Sequence, residues 1–357
     1  MPPDAMTPLE RLTAYNRGEA IDRLPCVPIV GNTAARVIGA NVSEFRGNGS
    51  LIAKAQVAAY KRFGYDTIRV FTDLYVLAEA MGAKVHYPVD ETAYHEAPAI
   101  ERSADIEKLQ PVDPYRDGNL PQHLEAMKIV LDEVGKEVSV SGAVTCPFTN
   151  AAFLIGTEAL VRLVGKNPAA THQLCEISLQ SALAYTKAMI DIGCTPSLTD
   201  PMSSSTIISP RQFREFSYPY LKRLIEYIHA RGKSVTLHIC GKTSKVLEQM
   251  VDAGADCLSL DNAVNLREAK QAVGSRVRLM GNVDPSAVML QGTPADVRKA
   301  VLDCLLQAHD NPKGYIVASG CSLPTETPFH NIDAMIDAVR LAGYPVDLEK
   351  LQREAAR

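Results

Sequence analysis

The chain has 357 residues, 46 % of them hydrophobic and 22 % charged, an ordinary globular composition with enough apolar material for a large core. Its 37 basic and 41 acidic residues leave a net charge of −4 with no basic block, which argues against nucleic acid, since phosphate binding needs clustered Lys and Arg. No stretch is apolar and long enough to span a bilayer and "MPPDAMTPLERL" lacks a signal-peptide layout, so no membrane is expected and the cytoplasm is the default location.

In chain order, a helix opens at "TPLERLTAYNRG", with Thr7 as its cap, Pro8 in its first turn and Glu10 completing a capping box. Short apolar runs then alternate with helical patterns. The runs are "LPCVPIVG" (24–31), "DTIRVF" (66–71), "EVSVSGAV" (137–144), "PSLTD" (196–200), "SVTLHICG" (234–241), "CLSLD" (257–261), "VRLMGNVD" (277–284) and "GYIVASG" (314–320). Between them lie helices such as "GSLIAKAQVAAYKRFG" and "PYLKRLIEYIHARG", and "SPRQF" from Ser209 and "TPADV" from Thr293 are two further Pro-led helix starts. Strands alternating with helices imply parallel pairing through right-handed crossovers, and eight such units imply a closed (β/α)8 TIM barrel. An open doubly wound sheet is the alternative, but no GxGxxG turn follows the first run. "KVHYPVDETAYHEAP" (84–98) alternates like a strand pair and reads as an excursion after strand two. The expectation is a single domain over 1–357, with an N-terminal helical extension and that excursion.

Barrels of this kind carry their active sites at the C-terminal strand ends. Those ends read Asp73, Cys146, Asp200, His238 with Cys240, Asp261, Asn282 with Asp284, and Cys321. The opposite ends read Arg23, Glu137, Lys233 and Lys313, which look like solvated caps. The eight cysteines form no CxxC pair, against a disulfide scaffold or a zinc ribbon, and most read as small core residues.

His238 and Cys240 in "VTLHICGK" alternate at a strand end, so they share a face, and both ligate metal when deprotonated. With Cys321 in "ASGCSLP" they make a plausible zinc set that leaves a fourth position for a substrate. Taken singly, His238 reads as a satisfied core histidine and Cys321 as a buried small residue. Asp73 suits a general base or a helix cap, and Asp200, before a proline, suits a turn. Asp261 suits a displaceable fourth ligand, a partner orienting His238, or a turn residue.

Six segments together resemble the uroporphyrinogen decarboxylase superfamily, and within it the methylcobalamin:coenzyme M methyltransferase branch. They are "FTDLYVLAEAMGAKV", "VTCPFTNAAFLIG", "LTDPMSSSTIISPRQFREFSYPYLKRL", "LHICGKTSKVLEQMVDAGADCLSLDNAVNLREAK", "RLMGNVDPSAVMLQGTPADV" and "GYIVASGCSLPTETPFHNIDAMIDAVR", within a resemblance that runs from about residue 5 to 345. It implies the barrel, and a zinc ion bound by His238, Cys240 and Cys321. Where the decarboxylases carry an arginine pair to hold an acidic tetrapyrrole, this chain has "PIVGNTAARV" with Arg36 alone, and Cys321 stands where they have histidine. Asp73 matches the acidic residue both branches carry.

The resemblance thus implies a zinc-dependent methyltransferase exchanging a methyl group between a corrinoid (cobalamin) and a small thiol or methylated substrate. Asp73, Asp200 and Asn282 are then candidate substrate-binding residues. No DxHxxG cobalt-ligating segment occurs, so the corrinoid is expected on a separate protein or free. Two rival readings stay open: a decarboxylase of a smaller acid or modified tetrapyrrole, and a non-catalytic module that carries metal or corrinoid.

Overall fold

Proline sets the length of the first strand. In the computed structural model, which describes residues 4–347, 349, 350 and 353, only β1 (Cys26–Val27) of the run 24–31 is strand. Pro25 and Pro28 flank it, and neither has an N–H to give to a ladder. The other strands are β2 (Thr67–Val70), β3 (Lys84–His86), β4 (Tyr94–Ala97), β5 (Ser139–Thr145), β6 (Thr195–Thr199), β7 (Thr236–Ile239), β8 (Cys257–Leu260), β9 (Arg278–Val283) and β10 (Tyr315–Ser319). β3 and β4 pair antiparallel outside the main sheet.

The remaining eight strands pair in parallel in the order β1-β10-β9-β8-β7-β6-β5-β2. The Asp66 N–H donates to the Cys26 carbonyl at 2.9 Å and draws the two ends of that order together, so the sheet is a nearly closed (β/α)8 barrel. Alternate residues divide between two environments, as the strand period requires. Ile68, Val70, Leu198, Leu237, Leu258, Leu279 and Val317 face outward and are buried under the helices. The inward positions are different in character. TIM-barrel interiors are usually filled by large branched side chains. Here Val27, Ile29, Met280 and Ile316 form one apolar flank, while Ser139, Ser141, Thr195, Ser197, Thr236 and Ser259 line the other. Small hydroxyl side chains leave a cavity of about 230 Å³ inside the barrel.

The N-terminal helix Pro8–Arg17 covers the base of that cavity with Leu9 and Leu12. Thr7 and Glu10 form its capping box, and the same device recurs at Ser209 with Gln212 and at Thr293 with Asp296. Beneath the barrel, Arg23 corrects the expectation of a solvated cap: it is 1 % exposed. Its Nη1 donates to Asp66 Oδ2 at 2.6 Å while Arg11 Nη1 donates to Asp66 Oδ1 at 2.5 Å. Asp66 Oδ2 also accepts the Cys26 N–H at 2.6 Å, so one carboxylate ties the first helix, β1 and β2 together. Glu137 and Lys313, at the same face, are exposed.

No single described helix is long and apolar enough to cross a membrane. One pair, Pro147–Ile155 with Thr157–Lys166, reaches that composition only when joined across a bend of 108°, and Pro147–Ile155 is buried along its whole length.

Candidate metal centre

β7 ends at Ile239, so His238 projects from the ladder while Cys240 lies in the first residue of the following loop. Cys321 follows β10 by two residues. The barrel brings them to one end, with the ligand atoms of all three within 4.8 Å of one another. His238 Nε2 is 3.2 Å from Cys240 Sγ, and the two sulfurs are 3.9 Å apart.

The glycine beside each cysteine has a steric reason. Gly241 has φ +73°, and a Cβ there would come within 3.0 Å of Ser204 Oγ and 3.1 Å of Thr206 Oγ1. At Gly320 a Cβ would meet the Asn262 main-chain nitrogen at 2.6 Å, which rigid backbone cannot relieve. These contacts let the loops carrying Cys240 and Cys321 pack closely.

His238 is 2 % exposed and held by β8: its Nδ1 lies 3.0 Å from the Ser259 carbonyl oxygen and 3.2 Å from Ser259 Oγ. A carbonyl can only accept, so Nδ1 carries the proton and the Nε2 lone pair faces the sulfurs, the arrangement of a metal-ligating histidine. The hydrogen bond from Cys240 holds Cys321 below the ordinary thiol range, whereas that interaction and burial push Cys240 well above it. One imidazole lone pair and two thiols, one already biased to thiolate, suit zinc.

Asp73, Asp200, Asn282 and Asp261 are not part of this cluster. Asp73 is buried, ion-paired with Arg46, and accepts from the Thr72 hydroxyl at 3.0 Å and the Tyr75 N–H at 2.7 Å. Asp200 is fully buried and accepts from the Thr149 N–H and hydroxyl on one oxygen, and from the Ser203 and Ser217 hydroxyls on the other. Burial raises its pKa and those four donors oppose the rise. Four bonds fill the acceptor sites of a carboxylate, and neither aspartate lines the interior cavity. Asn282 Nδ2 donates to the Asp261 and Val264 carbonyls at 2.9 and 2.6 Å, fastening the loop after β8. Asp261 Oδ1 accepts the Ala263 N–H at 2.8 Å, although its charge is close enough to act on Cys240. Asp284 caps the next turn through Ser286 and Ala287, and Cys146 sits buried before a helix with its pKa raised by burial.

Sequence reading passed over Arg69. It lies at an inward position of β2, lines the cavity together with His238, and donates through Nη2 to Thr199 Oγ1. Thr199 is the register partner of His238. A charged residue at an inward position of a barrel strand is the mark that could have found it. Ser259 was overlooked too: "CLSLD" names it only as strand, and its hold on His238 depends on the β7–β8 register.

The uroporphyrinogen decarboxylase (URO-D) family model matches residues 7–341, and the chain belongs to that family. The methylcobamide:CoM methyltransferase MtaA of Methanosarcina barkeri is 31 % identical, over 92 % of this chain and 96 % of that protein. A methylated-thiol–coenzyme M methyltransferase of Methanosarcina mazei is 28 % identical, over 98 % and 94 % respectively, and a uroporphyrinogen decarboxylase of Aliivibrio salmonicida is 25 % identical over 84 % and 85 %. Among solved structures, a methyltransferase from Methanosarcina mazei superposes with a TM-score of 0.85 at 27 % identity, over 93 % of this chain and 98 % of that one.

Proposed function

We propose that this protein is a zinc-dependent methyltransferase that moves a methyl group between a methyl-corrinoid, carried by a separate protein or free, and a small thiol or methylated substrate. The convergence of His238, Cys240 and Cys321 at the mouth of the barrel carries this reading. The full-length likeness to the methylcobamide:CoM methyltransferases supports it.

His238 Nε2, Cys240 Sγ and Cys321 Sγ would hold the metal. When bound, zinc supplies an open position at which a thiol is favoured as its thiolate and so becomes a nucleophile towards methyl on cobalt. The chain's own residues do the rest. Ser259 fixes the His238 tautomer, and Gly241 and Gly320 allow the close loop packing that sets the two sulfurs. Cys240 and Cys321 give up their thiol protons as metal is taken up, since a thiolate is the ligating form.

The test mixes zinc-loaded protein with methylcobalamin and a panel of thiols and follows loss of the methyl–cobalt absorbance. Thiol-dependent demethylation is the expected result. Zinc uptake without turnover on any thiol or methylated donor would favour the cofactor-carrying module, and full activity of metal-free protein on a carboxylated substrate would favour the decarboxylase.

A further inference from the structure

Three aspartates are buried among the described residues: Asp66, Asp73 and Asp200. Asp66 and Asp73 face arginines, whereas Asp200 has no cation within ion-pair distance among the described residues. A carboxylate taken out of water and held by hydrogen bonds alone is costly, and it persists where those bonds fix something the protein needs. Asp200 joins three segments. Its Oδ1 accepts from the N–H and the hydroxyl of Thr149, in the helix Pro147–Ile155, at 3.1 and 2.6 Å. Its Oδ2 accepts from Ser203, in the loop after β6, at 2.5 Å, and from Ser217, at the end of the π-helical turn Phe213–Ser217, at 2.9 Å. Turns of that kind are rare and are frequent at functional sites.

Two of these connections lead to metal ligands. The Asp200 N–H donates to the His238 carbonyl at 2.9 Å, one residue beyond Thr199, the register partner of His238. From Ser203 the loop runs on along Cys240, Gly241 and Lys242. The Ser205 N–H donates to the Lys242 carbonyl at 3.1 Å, and the Lys242 N–H donates to Thr206 Oγ1 at 3.4 Å. Ser204 Oγ and Thr206 Oγ1 occupy the space that a Cβ at Gly241 would need. Thr149 adds a second tie, since its hydroxyl accepts the Met202 N–H at 3.0 Å. Cys240 lies just past the end of β7, outside the ladder that holds His238. A metal ligand has to be held to about 0.5 Å, so a ligand outside the ladder needs another support.

We propose that Asp200 is a positioning residue of the metal centre: its buried carboxylate anchors the segment Ser203–Thr206, and that segment fixes the loop that carries Cys240. This deepens the methyl-transfer reading and rests on it for the metal. All four acceptor sites of the carboxylate are taken up by this task, and Asp200 acts on the metal only through the cysteine it helps to hold.

The test uses two serines that donate to the same oxygen of Asp200. Ser203→Ala and Ser217→Ala each remove one of those donors, and only Ser203 leads on to Cys240. Zinc affinity is measured by competition with a chromogenic chelator. Ligand geometry is read from the thiolate charge-transfer and d–d absorbance of the Co(II)-substituted protein, and thermal midpoints establish that each variant is folded at the temperature used. Ser203→Ala is expected to weaken zinc binding about 10- to 100-fold and to shift the cobalt bands, as loss of a support behind a ligand does. Asp200→Asn, which keeps the shape but offers fewer acceptor sites, should do the same. Ser217→Ala should lower the thermal midpoint yet leave zinc affinity within about twofold and the cobalt spectrum unchanged. Parental affinity and spectrum in Ser203→Ala would overturn the assignment. So would equal metal losses in the two serine variants, which would make Asp200 a support of the fold alone. If Asp200→Asn does not fold, the serine pair decides. A parent that takes up no metal overturns the proposal together with the metal site, whereas a parent that binds metal through these supports but transfers no methyl group refutes the methyl-transfer reading alone.

Discussion

Each cysteine beside His238 is expected to matter through its sulfur alone. Cys240→Ala and Cys321→Ala should each reduce bound metal from about one zinc per chain to under about a tenth, read by elemental analysis after gel filtration. If either variant keeps the parental content, that residue is not a ligand. Both cysteines bind metal as thiolates, so uptake expels protons, and zinc affinity should rise with pH below neutrality by about tenfold per unit for each proton released. His123 offers a second residue-scale test, away from the metal. It is 3 % exposed, its Nε2 is 3.2 Å from Thr72 Oγ1, and burial lowers its pKa from 6.5 to about 4. The unfolded chain therefore binds the extra proton first, so stability is fully present above pH 6.5 and declines as pH falls towards 4. The slope is on the order of 1 kcal/mol per pH unit. In urea titrations across this window, His123→Leu should flatten the slope relative to the parent. An unchanged slope would assign the acid sensitivity to other groups.

The seam between β1 and β2 is the element on which barrel closure depends. Strand β1 contributes two ladder residues, and Asp66 compensates by gripping Arg11, Arg23 and the Cys26 N–H at once. Asp66→Asn leaves two buried guanidinium groups short of their shared counter-charge. A loss of about 3–5 kcal/mol in unfolding free energy is expected, measured from urea midpoints at constant m. Replacing exposed Asp132, whose partner Lys128 is also exposed, should change little and serves as the control. A loss below about 1 kcal/mol at Asp66 would mean that the first helix, rather than this carboxylate, holds the seam.

At the scale of the whole molecule, the barrel is built with outward faces for folding and inward faces for the site. Leu198, Leu237 and Leu258 pack outward at 0 % exposure, while Ser197, Thr236 and Ser259 on the same strands leave the interior partly unfilled. Filling that space should exchange function for stability. Ser197→Val adds apolar volume beside the cavity and is expected to hold or raise the thermal midpoint while raising KM in methyl transfer several-fold. A lowered midpoint with unchanged KM would show that the hydroxyl supports the fold and not the site.

The pattern of eight apolar runs between helices was enough to specify a (β/α)8 barrel, because strand and helix periods and capping boxes are local properties of neighbouring residues. The motif around His238 and Cys240, and Cys321 after the last strand, were also legible, since alternation and family likeness act along the chain. What the chain order does not contain is which inward positions meet across strands. Register sets Ser259 beside His238, and the long side chain of Arg69 reaches Thr199, four residues up β6 from its own level. The fold also gives Asp73 to Arg46 and Asp200 to four hydroxyl and amide donors, pairings that a residue list of the rim does not contain. Arg23 was misread for the same reason: an arginine at a strand start looks solvated until Asp66, 43 residues later, is folded against it. Backbone geometry and side-chain period are decided over a few residues, whereas charge pairing and cavity shape are decided by residues brought together from distant parts of the chain.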